Sequence, residues 1–517
     1  MNRKIFGIVV VCLGSLGGCL GSEDPSQSAD ALLVSPPRRT APLAGATVSS
    51  QRPLVRWATL APAGLRVEFC ADRACALVEQ SVRASGRSAR AAEGLAPGLH
   101  FWRLSVRGRT TSAWSLVVPA RDTARSITTG YVPDYNGDGV VDLAISAPGT
   151  FRNPQGTAPR GALYLFYGRR PLPSLVSVPD STLGAELPEG GNAIGLHTVA
   201  SLGDVNGDGY GDLAVSADDS IFVYHGGPDG LSTHSARFAA NSYGSGAGDV
   251  NADGYADAIV GHSLYLGGPD GLGSTPAYTW GLDGDPRALG DVNGDGYADV
   301  GVFDGSRPVV SLGSAAVFRA TTRTVRLAPG FVLRSFVNAG DLNADGASDL
   351  ACEGDTPDGA AAVFVYFGRA PGYLATADHT VTPSTDRTRP FGAVMSSAGD
   401  VNGDGYDDLL IRGDRIPTNE AFVTLYLGGD SALSAAPATT LVGSLSVRYA
   451  AALARLGDLD DDGRDDPVVT RQAVSDFVGG LGLVHLGQAS GITALPAISF
   501  VVGASRDQFA QRLAGWN

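Results

Sequence analysis

Lysine is missing from this 517-residue chain after residue 4, although arginine is plentiful. That imbalance reads as codon bias without functional content. No basic stripe or recognition motif appears, so nucleic-acid binding has no support. The seven histidines, His100, His197, His225, His234, His262, His379 and His485, show no H-E-x-x-H or other metal-ligand spacing. A G-x-S-x-G elbow is absent too, and no catalytic residue is assigned. Beyond the first 19 residues no stretch is apolar enough to span a bilayer. Cysteine is scarce: after Cys19 only Cys70, Cys75 and Cys352 remain. In an oxidising compartment Cys70 and Cys75 (CADRAC) could close a small disulfide loop, although spacing alone does not show that their geometry fits. Cys352 takes the place of an aliphatic residue in its repeat and reads as a small buried hydrophobe.

The amino terminus, MNRKIFGIVVVCLGSLGGC, has a basic start, an apolar stretch of signal length and small residues before a cysteine. Leu16-Gly17-Gly18-Cys19 resembles a bacterial lipobox. The resemblance implies a signal peptide over 1–18, lipid on Cys19 and contact with the membrane through that anchor alone. Leu20 rather than aspartate follows the cysteine, which favours the outer membrane, with the cell-surface and periplasmic sides both open. A polar, proline-bearing tether over 19–39 follows.

What the chain has in abundance is one acidic loop, D-x-[ND]-x-D-G-x-x-D, written seven times. Hard cations of the calcium type take six to eight oxygens on a tight turn. Here positions 1, 3, 5 and 9 offer side chains, position 7 offers its carbonyl, and glycine at position 6 permits the bend. Loop 1 supplies Asp134, Asn136, Asp138, Val140 and Asp142; loop 2 supplies Asp204, Asn206, Asp208, Tyr210 and Asp212. Loop 3 has Asp249, Asn251, Asp253, Tyr255 and Asp257, and loop 4 has Asp291, Asn293, Asp295, Tyr297 and Asp299. Loop 5 has Asp341, Asn343, Asp345, Ala347 and Asp349, and loop 6 has Asp400, Asn402, Asp404, Tyr406 and Asp408. Loop 7 closes the series with Asp458, Asp460, Asp462, Arg464 and Asp466. About seven Ca²⁺ sites are therefore expected.

These are not EF-hands. Position 12, where an EF-hand has a bidentate glutamate, is apolar here, as at Ile145, Val215 and Ile411, and the residues after each loop are β-branched rather than helical. Each loop thus connects two strands. The loops also account for the formal charge of -15, because outside them the mature chain is mildly basic. Seven divalent ions would nearly cancel it, which assigns the acidity to metal rather than to a cationic partner.

From 40 to 121 the texture is that of a small β-sandwich: PLVRW, GLRVEFC, FWRLSVRG and AWSLVV alternate apolar and polar residues. Trp57 and the Phe101-Trp102 pair are the expected aromatic core. The stretch resembles a fibronectin type III domain, whose expected job here is spacing. From 126 to 517 the first loop aspartates recur every 42 to 70 residues, the size of a four-stranded propeller blade. Third strands such as GALYLFYG, AAVFVYFG and FVTLYLGG recur, and only the fourth copy, near PVVSLG, is degraded.

Phe391-Gly392 before loop 6, Ala147-Pro148 after loop 1 and the repeated YLGGPDGL are similar to FG-GAP (VCBS-type) repeats, the units of the integrin α-subunit propeller. The pattern departs at Ile194-Gly195, Tyr449-Ala450 and Phe509-Ala510, where Phe-Gly is usual. The resemblance implies an all-β fold: a seven-bladed calcium-binding β-propeller behind an Ig or fibronectin III-like sandwich. The chain ends in DQFAQRLAGWN, an opening strand with no loop after it, and this segment is expected to complete blade 1.

Function is expected on the face opposite the calcium loops. There the strand 2–3 connections are long in repeats five, six, seven and one, which are neighbours in a ring. They place Arg152, Asn153, Arg160, Asp355, Asp358, Arg412, Asp414, Arg415, Arg471 and Gln472 together as a patch for a glycan or protein ligand. Arg412-Gly413-Asp414 spells a peptide that integrins recognise, and coincidence is the better reading. The leading expectation is an adhesion or binding module. A surface polysaccharide lyase or hydrolase and a purely structural envelope component are the alternatives.

Overall fold

A computed structural model describes most of residues 36–514; its longest undescribed stretches are 1–35, 123–132, 148–161, 184–198, 472–479 and 503–512. The expected leader, the Cys19 anchor, and Arg152, Asn153, Arg160 and Gln472 lie outside the described residues. Pro36–Asn517 forms one compact unit, and its described residues contain strands but no α-helix. No helix among them is long and apolar enough to cross a membrane.

The first strands build two sheets. One has Leu54–Trp57 between Arg39–Ala41 and Ser88–Arg90. The other runs Ala46–Thr47, Trp114–Val118, Gly98–Val106, Arg66–Cys70, Val78–Arg83. Burial follows the two-residue period of a pleated strand: Val55 and Trp57 are buried while Arg56 between them is exposed. Trp57 and Trp102 enter the core, and Trp102 meets Trp114 edge to face at 6.0 Å. Phe101 is buried as well, on the other face of its strand, in a second cluster with Cys70, Cys75 and Ala113.

Seven antiparallel sheets follow. Val199–Gly203, Asp212–Ala217, Ser220–Tyr224 and Ala236–Ala239 pair in chain order as blade 2, and blades 3 to 6 repeat the pattern. In blade 4 the degraded repeat still forms a strand, Pro308–Ser311, paired on both sides. Blade 7 gains a fifth strand, Leu175–Val176, parallel to Ile498–Val502. Blade 1 combines Leu143–Ala147, Ala162–Phe166 and Ser181–Leu183 with Leu513–Ala514, which pairs Ala144 with Ala514 and Ile145 with Leu513.

What holds the sheets together is apolar burial between them. One cluster lies between each successive pair of blades, and a further one joins blade 7 to blade 1 through Leu143, Ile145, Phe166, Leu456, Val468 and Ile498. Blade strands are nearly continuous apolar runs because both faces of an inner blade are covered: all six residues of Asp212–Ala217 are buried. Cys352 is fully buried in one of these clusters.

Candidate metal centre

Loops 2 to 7 sit where the first strand of a blade turns into its second strand, and loop 1 leads into Leu143–Ala147. In blades 2 to 6 the pairing of these strands slips by one residue just before the loop, at Gly203, Gly248, Gly290, Gly340 and Gly399. These glycines have φ between 70° and 85°, the left-handed region that a bulge of this kind needs. This Gly-Asp signature was present in the sequence but is not part of the nine-residue motif. Loop 1 lacks it and starts after Pro133.

Inside the loops the carboxylates first organise the backbone. At position 9, Asp142, Asp212, Asp257, Asp299, Asp349, Asp408 and Asp466 are at most 1% exposed. In all seven, Oδ2 accepts the N–H of position 2 at 2.7–2.9 Å. Oδ1 accepts an N–H at the end of the third strand, from Gly168, Gly226, Gly267, Gly313, Gly368, Gly428 and Gly487, at 2.7–3.0 Å. The sequence reading made these aspartates ligands only; each is also a staple between its loop and the third strand of its blade.

At position 1 of loops 2 to 7, Oδ1 accepts the N–H of position 5 at 2.9–3.2 Å. Oδ2 accepts the N–H of the position 6 glycine at 2.7–2.9 Å. At position 5, Oδ1 accepts the N–H of position 7 at 2.8–3.2 Å. Carboxylate oxygens have a second lone pair, so these bonds fix the oxygens without exhausting them.

The donor set fits a hard cation. At loop 7 the carboxylate oxygens of Asp458, Asp460 and Asp462 lie within 4.8 Å of one another, the spread expected when oxygens stand about 2.3–2.6 Å from one ion. Burial, with neighbouring carboxylates adding to it, pushes protons onto Asp458 and Asp460. Burial raises Asp204, Asp249 and Asp458 to about 7, and Asp299 and Asp466 to about 8. A divalent ion would relieve both penalties at once.

The loops are also chained together. The position 8 N–H of each loop from 2 to 7 donates to the position 1 carbonyl of the loop before it, at 2.7–3.0 Å, as Gly211 does to Asp134 and Asp407 to Asp341. Position 4 takes φ near 50–75° in loops 1 to 6, and Ala252 and Ala344 adopt φ 54° where loops 1, 2, 4 and 6 use glycine.

On the opposite face most described members of the expected ligand patch are engaged by neighbouring side chains. Asp355 pairs with Arg334, Asp358 with Thr356, and Arg415 with Glu420 at 3.4 Å. Arg412 and Asp414 pair with each other at 3.1 Å within the strand Asp408–Arg415. Asp414 is only 8% exposed, which removes the short integrin-recognised peptide as a presented motif. Cys70 and Cys75 are bonded to each other, with Cα atoms 5.1 Å apart.

No family model matches the chain. It is 32% identical to rat integrin alpha-7 over 141 residues, 24% of this chain and 11% of that one. It is 39% identical to human integrin alpha-IIb over 109 residues, 19% of this chain and 10% of the relative. A solved quinonprotein alcohol dehydrogenase-like protein from Bacteroides thetaiotaomicron aligns over 91% of this chain and 96% of its own, with TM-score 0.36 and 8% identity, too low to carry an argument. The chain thus spans about a tenth of the integrin α subunits it matches, and over about a quarter of its own length it is similar to them.

Proposed function

We propose that this protein is a calcium-stabilised binding module of the bacterial cell envelope, lipid-anchored through Cys19 at the outer membrane, that presents a propeller to a glycan or protein ligand. Calcium acts on stability rather than chemistry: the cages are built from backbone-committed carboxylates and are chained from blade to blade, so filling one stiffens its neighbours. The terminal segment around Leu513–Ala514 completes blade 1 and holds the ring shut. The first domain, which resembles a fibronectin type III domain in sequence, serves as the spacer.

The observation that carries the reading is the asymmetry between the two loop faces. The metal-loop face is capped at loops 1 to 3 by the first domain: Trp114 Nε1 donates to the Gly207 carbonyl at 3.2 Å, Arg38 lies over the Tyr255 ring at 5.2 Å, and the backbone at Arg39 presses on Gly254. Recognition is therefore assigned to the other face, with Arg471 and the long connections of blades 5, 6, 7 and 1. A glycan array read beside a reducing-end assay tests this on the full-length protein. Binding without product supports the module, product would make it a lyase or hydrolase, and silence from glycans and envelope proteins alike would leave a structural component.

A further inference from the structure

Loop 1 receives a charged side chain of the first domain. The short turn tied by Cys70 and Cys75 carries Arg73 between its two cysteines. The guanidinium enters the loop: Nη2 donates to Asp134 Oδ2 at 2.9 Å, Nε donates to the Gly137 carbonyl at 2.9 Å, and Nη1 donates to the Gly209 carbonyl of loop 2. The Tyr210 ring lies 4.4 Å from the guanidinium carbon and the Phe101 ring 5.1 Å from it. The Arg73 side chain is 13% exposed and that of Asp134 3%. Asp134 occupies position 1 of loop 1.

We propose that Arg73 takes the place of calcium at loop 1, making that loop a socket that clamps the first domain to the blades and leaving the chain one ion short of its seven motifs. A guanidinium is a permanent, planar cation whose fork of donors matches one carboxylate and two carbonyls at once. An ion entering loop 1 would meet this fixed positive charge at close range in a poorly solvated place, where repulsion is strong. The aromatic rings and the disulfide hold the arginine there. Loop 2 differs, because there Arg39 and Arg73 donate to the Gly207 and Gly209 carbonyls rather than to a carboxylate. In loops 4 and 7 the arginines on a position 5 carboxylate, Arg319 and Arg464, come from the blades themselves and are 48% and 30% exposed, so solvent lets them swing away, while the buried Arg455 pairs with the position 8 residues Asp465 and Asp407.

The inference rests on reading the other loops as calcium sites, and the experiment separates the two. Calcium is titrated calorimetrically into the full-length protein and the bound ions are counted after dialysis. Arg73→Met, which keeps the apolar stem and removes the charge, gains one ion per chain. Asp134→Asn leaves the parent count unchanged but removes the extra ion in the Arg73→Met background. Asp291→Asn in loop 4 loses one ion in either background and calibrates the count. A parent that loses an ion with Asp134→Asn, or an Arg73→Met protein that gains none, overturns the proposal while the other sites stand. No bound calcium in any variant overturns both readings. Near-UV circular dichroism checks the fold, and if Arg73→Met does not fold, the response of the parent to Asp134→Asn decides.

Discussion

Loops 1 and 4 spell nearly the same letters, DYNGDGVVD and DVNGDGYAD, yet they keep different company. Loop 4 follows Gly290 in a continuous hairpin, and a Cβ added at its Gly294 or Gly296 would meet nothing within 4 Å. Loop 1 follows Pro133, its blade borrows an inner strand from the far end of the chain, and a Cβ at Gly137 would lie 2.6 Å from Arg73 and 2.3 Å from Tyr210. The motif specifies the backbone of a cage. What enters the cage is decided by whatever packs on it.

Removing calcium gives the largest expected effect. A filled site contributes ~2.7 kcal/mol when free calcium exceeds its Kd a hundredfold. Chelation is therefore expected to lower the melting midpoint steeply, and calcium titration to restore it with loop 4 among the responsive sites. An unchanged midpoint under chelation would remove metal from the account of stability altogether. Next comes deletion of residues 507–517, which strips the partner of Leu143–Ala147 from blade 1 and bares an inner edge. The truncated protein is expected to melt well below the parent by calorimetry; full retention of stability would show that blade 1 needs no borrowed strand.

Position 9 should erase the contrast between the loops. Asp142 in loop 1 and Asp299 in loop 4 each accept two backbone N–H groups in a buried place. Replacing either by alanine orphans both donors, a cost of ~3 kcal/mol that persists in chelator. Equal losses by urea denaturation would show that the staple is shared, whereas a loss at Asp299→Ala alone would tie position 9 to the ion.

A smaller effect concerns pH in the metal-free protein. Asp204, Asp249, Asp299, Asp458 and Asp466 have folded-state pKa values of about 7 to 8, above the ~4 of an unfolded aspartate. The folded state then binds more protons than the unfolded one between those values. Their contribution is fully present below pH ~4 and is lost as pH rises through ~7 to ~8. The chelated protein should melt higher near pH ~5.5 than near pH ~8.5. Saturating calcium should flatten that slope; a rise of stability with pH in chelator would contradict the buried-carboxylate picture. Smallest of all, Ala252→Gly and Ala344→Gly relieve a left-handed alanine and should each stabilise by up to ~1 kcal/mol, measurable as a shift in denaturant midpoint.

Much of this architecture was legible. A nine-residue spacing with glycine at position 6 has few backbone solutions, and β-branched runs after each copy left strand as the only partner structure. The Gly-Asp bulge was written just as openly, but its meaning depends on a neighbouring strand that slips by one residue. Other features were not written locally: Arg412 pairs with Asp414 and Arg415 with Glu420. Phe101 read as core and is buried, but strand alternation sets it beside the disulfide in a cluster of its own.

By itself the sequence determined the all-β class and the number and spacing of the acidic loops, because these depend on neighbours within about a dozen positions. The tertiary structure alone decided that position 9 staples each loop to its blade's third strand, that the loops are chained round the array, and that Arg73 lies on Asp134. Those two residues are 61 positions apart. Local physics sets the shape of a loop, but the charge that meets it arrives with another domain, and no periodicity along the chain records that meeting.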